Sequence, residues 1–263
     1  RIHHLKKTAA AGGIGAFFSS DFFLDMFAYL HKIFHEFFRF TENIGNSFIR
    51  YRKKIKALLQ EENTLILQLA EGWFWRLKKP ESKAIIAQLH VVFTDSTIQD
   101  IGTDDSWLVA ESNLRFCHLY NGIIYDAAYT PVFDTYAAIA ADNTQNLLIV
   151  QEGETVKEQE RLSVKEVILT PKGETVLDFG QNMTGCLEIT IDAEEGDELS
   201  FSFGEILDKD GNFYNANYRS AKALYKYTCK DGKQTYKPTL TFYGFRYVRV
   251  DSYPTDIDPK NFT

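Results

Sequence analysis

The chain is short of several things at once. Its 263 residues hold three cysteines, Cys117, Cys186 and Cys229. An odd count without short-range spacing argues against a disulfide framework and against a zinc site, so no metal ligand set is assigned. Free thiols fit a reducing compartment, and a cytoplasmic location is expected. No uninterrupted apolar run is long enough to span a bilayer, so no membrane partner is expected. The sequence opens on Arg1 and shows no basic-then-apolar leader pattern. Basic excess is also missing. The formal net charge is -7, which argues against a nucleic-acid partner because no broad basic patch neutralises phosphates. The one basic cluster, Arg50–Tyr51–Arg52–Lys53–Lys54, reads as a solvated face.

What the chain does have is period-two alternation. In LDFGQNMTGCLEITIDAEEGDELSFSF (177–203), Leu187, Ile189 and Ile191 alternate with Glu188, Thr190 and Asp192. After a polar turn containing Gly196, Leu199, Phe201 and Phe203 alternate with Glu198, Ser200 and Ser202. That pattern predicts antiparallel strands with one wet face. Ahead of them, Asp178–Gly185 carries two glycines and an Asn, which suits a backbone that bends and admits positive φ. Further strands are read over 64–69, 84–93, 98–101, 147–150, 162–169, 223–229, 235–239 and 245–251. Asp208 and Asp210 with Gly211 suggest a calcium loop, but its twelfth position is Arg219 rather than Glu, so an Asp-Gly hairpin turn is the better reading.

The first fifty residues read differently. Phe23, Met26, Phe27, Leu30, Phe34, Phe37 and Phe38 fall at three- and four-residue steps, the pattern of an amphipathic helix. His31 and His35 stand four apart within it, but Lys32 follows the first His where a zincin helix carries Glu. His118, on an alternating strand, reads as a hydrogen-bonded packing residue. Trp73, Trp75 and Trp107 are the sugar-binding candidates, since an aromatic face can stack on a sugar ring; packing is the competing role of each.

The expected fold class is therefore mainly β: two antiparallel β-sandwich, jelly-roll-like domains with a helical N-terminal segment. The boundaries read as a Phe-rich helical segment over 1–50, a first sandwich over 51–155, a second over 156–256 and the start of a linker over 257–263.

Several blocks together resemble a known family. LDFGQNMTGCLEI (177–189), GEILDKDGNFYNANYRSAKALYKYT (204–228) and YKPTLTFYGFRYVRVDSYP (236–254) are similar to the concanavalin-like domain of bacterial α-L-rhamnosidases. ENTLILQLAEGWFW (62–75), IGTDDSWLV (101–109) and LYNGIIYDA (119–127) resemble the β-sandwich that precedes it there. The resemblance covers roughly residues 55 to 256, in order.

It implies the non-catalytic β portion of a glycoside hydrolase that releases terminal α-L-rhamnose by an inverting acid and base mechanism. In the family the two carboxylates sit on an (α/α)₆ barrel that follows the β domains. The barrel's Asp-Cys-Pro-Gln-Arg-type signature is not in this sequence, so no catalytic residue is carried over and the chain is expected to be inactive alone. No cofactor is implied. The implied partners are the barrel and rhamnosyl glycosides in the full-length enzyme; a homodimer is a separate option that the resemblance does not address.

The family shows a hairpin with a Tyr-Ile-Asn-Gly-like turn near the start of its first sandwich, where this chain has the Phe-rich segment. Tyr243 and Leu224–Tyr225 stand where the family pattern has His and Thr–Asp, and read as surface drift. Two other roles are weighed: an autonomous carbohydrate-binding module presenting its tryptophans, and an interaction protein using the Phe-rich helix.

Overall fold

The computed structural model describes residues 4–11, 37–44, 47–53, 62–70, 86–93, 95–138, 148–150 and 157–263. The chain divides into two units: one built from 1–69, 73–111 and 131–154, the other from 70–72, 112–130 and 155–263.

The first unit carries β1 (His4–Ala11), β2 (Phe37–Ile44), β3 (Ser47–Lys53), β4 (Glu62–Leu69), β5 (Ile86–Val92), β6 (Ile98–Gly102) and β7 (Leu108–Glu111). The second unit carries β8 (Leu114–His118) and β9 (Gly122–Asp126). The chain then returns to the first unit for β10 (Thr135–Tyr136) and β11 (Leu148–Val150). One sheet of the first unit has the order β10-β7-β1-β4, the other β11-β3-β2-β5-β6. The expected alternation over 84–93 is present, with Ala87, Leu89 and Val91 at 3%, 2% and 0% exposure. Leu65, Leu67 and Leu69 alternate inward in the same way on β4.

The helical N-terminal segment is not supported. Every described residue between 1 and 50 is in a strand, and Phe37 and Phe38 belong to β2. Phe23, Met26, Phe27, Leu30, His31, Phe34 and His35 lie outside the described residues. β2 and β3 pair antiparallel from Phe38↔Lys53 to Ile44↔Ser47, with Gly45 and Asn46 between them in sequence. Gly-Asn between two extended runs is itself a hairpin signal, and the antiparallel pairing of β2 with β3 agrees with it. Closely spaced phenylalanines match i, i+3 and i+4 by density alone, so such a period does not require a helix.

The remaining strands of the second unit are β12 (Glu166–Leu169), β13 (Thr175–Gly185), β14 (Ile189–Ala193), β15 (Glu198–Gly204), β16 (Ile206–Leu207), β17 (Phe213–Tyr214), β18 (Leu224–Thr228), β19 (Gly232–Tyr236) and β20 (Tyr243–Ser252). Seven strands form one sheet in the order β12-β13-β20-β15-β18-β9-β8, while β14 pairs with β19 and β16 with β17. The two strands of the 187–203 stretch do not pair with each other. β14 lies in the small sheet and β15 in the large one, so the Gly196 turn crosses between layers. Both apolar faces meet in one core: Leu187, Ile189 and Ile191 with Leu199, Phe201 and Phe203, all at 3% exposure or less. Burying side chains of this size contributes about 1.5–3 kcal/mol each. Aromatic packing closes the layer, with Phe203 stacked on Tyr243 at 3.8 Å and perpendicular to Phe245 at 4.9 Å.

The sheets are mixed rather than antiparallel throughout. β1 runs parallel to both β4 and β7, β3 to β11, and β9 to β18. Side-chain alternation is the same in parallel and antiparallel strands, so the sequence pattern does not separate them. The β9–β18 pairing depends on Gly122, which sits at φ +94; a Cβ there would stand 1.8 Å from the Leu224 carbonyl oxygen. Among the described residues the only helical turns are 3₁₀, at Ala216–Tyr218 and Pro259–Asn261, and no helix is long and apolar enough to cross a membrane.

Candidate functional site

Of the three tryptophans, Trp73 and Trp75 lie outside the described residues. Trp107 closes the 102–107 turn. Asp104 accepts from the Ser106 N–H at 2.9 Å, the Trp107 indole donates to the Gly102 carbonyl at 3.1 Å, and the ring is 3% exposed. Stacking on a sugar needs an open ring face; burial gives this indole the packing role instead.

His118 is also a packing residue, at 3% exposure. Its Nδ1 accepts from the N–H groups of Tyr120 and Asn121 at 3.1 and 3.2 Å, which leaves the proton on Nε2. It thereby fixes the turn between β8 and β9. The Asp208–Asn212 loop is the expected hairpin turn. The Asp208 carboxylate accepts from the N–H groups of Asp210 and Asn212 at 2.9 and 2.8 Å, and β16 pairs with β17 across it. Donors occupy the carboxylate where a cation would bind.

The Asp178–Gly185 segment holds the most elaborate polar arrangement. It is part of β13, whose register against β20 shifts between Asp178 and Met183. The extra residues form a bulge, and Gly180 takes φ +81 there with the Lys165 side chain folded over it. Asp178 is 7% exposed. Both its oxygens accept from Arg246, and Oδ1 also accepts from the Gly180 N–H at 2.6 Å. The Arg246 guanidinium, with that N–H, holds the Asp178 carboxyl below the usual carboxylate range against the opposing effect of burial. Arg246 also lies over the Tyr247 ring at 4.8 Å. Directly before β13, Glu174 accepts from Arg249, Thr170 and the Phe213 N–H, each at 3.1 Å.

These carboxylates are anchors held ionised by fixed donors. Protonating a leaving group needs the opposite, a carboxyl whose pKa is raised. The carboxyls of Asp95, Glu158, Glu174, Asp178 and Asp208 are each displaced downward.

The sequence reading missed Arg246, Arg249 and Glu174, because their partners are 68 and 75 residues away in the chain. It also read Tyr243 and Leu224–Tyr225 as surface drift, and the structure overturns that. Tyr225 and Tyr243 are 0% and 3% exposed, and the Tyr243 hydroxyl donates to the Leu224 carbonyl at 3.1 Å. The departures sit together inside the core. A tyrosine in an alternating strand reads the same whether its face is wet or dry, which is why the sequence did not reveal this.

Residues 257–263, read as the start of a linker, pack onto the second unit. Asp258 caps the 3₁₀ turn through the Lys260 N–H at 3.0 Å. Phe262 is 1% exposed, and Glu188 and Thr263 exchange backbone hydrogen bonds at 2.8 and 3.0 Å.

Comparison with known proteins gives two family matches: the α-L-rhamnosidase N-terminal domain over residues 53–167 and the bacterial α-L-rhamnosidase concanavalin-like domain over 168–263. The α-L-rhamnosidase of Streptomyces avermitilis is 33% identical over 230 residues, covering 78% of this chain and 22% of its own length. That of an Alteromonas species is 31% identical over 232 residues, covering 77% of this chain and 25% of its own length. Among solved structures, the Streptomyces avermitilis enzyme complexed with L-rhamnose aligns with 88% of this chain and 26% of that one, at a TM-score of 0.72 and 24% identity. The α-L-rhamnosidase of Dictyoglumus thermophilum aligns with 90% of this chain and 31% of that one, at 0.73 and 22%. At that identity the structural likeness speaks for the fold. The chain spans about a quarter of the length of the curated relatives it matches. Its two matched domains together run from residue 53 to 263, and by them the chain belongs to the bacterial α-L-rhamnosidase family.

Proposed function

We propose that this chain is the non-catalytic β portion of an α-L-rhamnosidase, and that it braces the catalytic barrel and forms one wall of the sugar pocket. The observation that carries this reading is the pair of family matches, which between them cover 53–263 and are both β domains. The nature of the described carboxylates supports it. Inverting hydrolysis uses one carboxylic acid to protonate the leaving oxygen and one carboxylate to activate water on the opposite face of the sugar. Asp178, Glu174 and Asp208 are committed to fixed donors and serve packing instead. On this reading the acid and base belong to the barrel, and rhamnosyl glycosides are substrates of the whole enzyme.

A bracing role has a direct test. The chain is expressed fused through a barrel, and again as the barrel alone, and thermal unfolding is followed together with p-nitrophenyl α-L-rhamnoside turnover. Loss of residues 53–263 is expected to lower the barrel's Tm and its turnover. A barrel of unchanged stability and activity would refute the bracing role.

A further inference from the structure

The chain enters the second unit through residues 157–165, which form neither helix nor strand. The stretch is fastened differently at its two ends. Downstream, Leu162 and Val164 are half-buried and pack on the core, while Arg161, Ser163 and Lys165 are exposed. The Lys165 N–H donates to the Asp178 carbonyl at 2.8 Å, which ties this end to β13. Upstream, the fastening is ionic. The Arg161 Nε donates to Glu158 at 2.7 Å, and its Nη1 and Nη2 donate to the two oxygens of Glu188 at 2.8 and 3.2 Å. Glu158 also accepts from the Lys237 ammonium at 2.9 Å.

The register of the small sheet explains the meeting of these charges. Ile189 of β14 pairs with Tyr236 of β19, so Glu188 and Lys237 each stand one position past that pair, at the end of the sheet. Signs alternate along Lys237–Glu158–Arg161–Glu188, and the cluster is neutral as a whole. Glu188 is a firm anchor, because its backbone exchanges hydrogen bonds with Thr263 at 2.8 and 3.0 Å. The four side chains are between 23% and 50% exposed. Ion pairs so placed are screened by salt, although a forked arginine within a network holds better than an isolated pair. Apolar packing of the kind made by Leu162 and Val164 does not depend on charge.

We propose that Glu158, Arg161, Glu188 and Lys237 form a salt-sensitive latch. Closed, it holds residues 157–161 against the end of the β14–β19 sheet. Screened, it lets that stretch lift about the Leu162–Val164 anchor while the rest of the unit stays folded. The latch is a property of the fold, whatever the chain does in rhamnoside hydrolysis.

The test is limited trypsin digestion of the 263-residue chain, with cleavage after Lys157 and Arg161 followed by mass spectrometry. Cleavage of a transiently opened segment tracks its open population. Each rate is divided by that of a free peptide of residues 155–165 at the same salt, which removes the effect of salt on trypsin. Raising sodium chloride from about 20 to about 500 mM is expected to speed cleavage about fivefold, the upper end of what exposed ion pairs hold. Glu188→Gln is expected to be cleaved several-fold faster than the parent at low salt and to respond less to added salt. A parent rate indifferent to salt would overturn the proposal, and that series needs no variant. So would a Glu188→Gln chain cleaved no faster than the parent, or cleavage spread across the second unit instead of confined to these two sites.

Discussion

The two oxygens of the Asp178 carboxylate face two nitrogens of the Arg246 guanidinium, Nε and Nη2, each at 2.8 Å. The pair is bidentate and bridges β13 to β20 at the bulge where their register breaks. Planar pairing of this kind is stronger than a single charged contact and fixes orientation as well. It makes the DFGQN block a structural joint, with Gly180 supplying both the positive φ and the N–H that completes the carboxylate's shell.

A pH dependence follows from that joint. Arg246 holds the folded Asp178 pKa below its ordinary value of 3.8, so the pair's contribution is present above about pH 4 and is lost as pH falls through the folded value. Asp178→Asn is expected to lower stability by about 1–3 kcal/mol at neutral pH. The gap between variant and parent is expected to be narrower at pH 3 than at neutral pH. Urea midpoints at the two pH values measure this, and a gap that stayed constant would contradict it.

Arg219 sits at φ 58 and ψ -111 at the end of the Ala216–Tyr218 turn. For a residue with a Cβ such a conformation costs about 1–3 kcal/mol. The turn is pinned by Asn217, which donates to Glu205 at 2.8 Å, and by the Tyr218 hydroxyl, which donates to the Gly244 carbonyl. Arg219→Gly is expected to raise the Tm, with a net gain of about 1 kcal/mol after the greater freedom of glycine in the unfolded chain is counted. Arg219→Ala keeps the Cβ and is expected to give no gain. Scanning calorimetry of the two variants separates backbone strain from loss of the guanidinium.

Phe262 lies 5.9 Å from the Phe201 ring and 5.5 Å from Tyr253, ring centre to ring centre. It fills the edge of the second unit's core. Phe262→Ala is expected to lower stability by about 3–5 kcal/mol, the usual range for a buried Phe. An effect below about 1 kcal/mol would place residues 257–263 outside the folded body.

Much of the second unit is legible in the sequence, because period-two alternation reports burial directly. Leu187, Ile189, Ile191, Leu199, Phe201 and Phe203 are all core residues, as their spacing predicts. Alternation does not report partners. That β14 and β15 lie in different sheets, and that the hairpin Leu114–Asp126 adds to the large sheet through a parallel β9–β18 pairing, depends on contacts made far along the chain. The polar joints are hidden for the same reason: Asp178 reads as a turn residue until Arg246 is beside it. In the first fifty residues the phenylalanine density matched a helical period and masked the Gly45–Asn46 signal of the β2–β3 hairpin.

On the proposed reading, the acid and base of rhamnoside cleavage lie outside these β domains. Turnover of p-nitrophenyl α-L-rhamnoside by the purified 263-residue chain is the decisive assay. Release of p-nitrophenol is expected to be no faster than in buffer alone. Saturable turnover by this chain, surviving further purification, would contradict it.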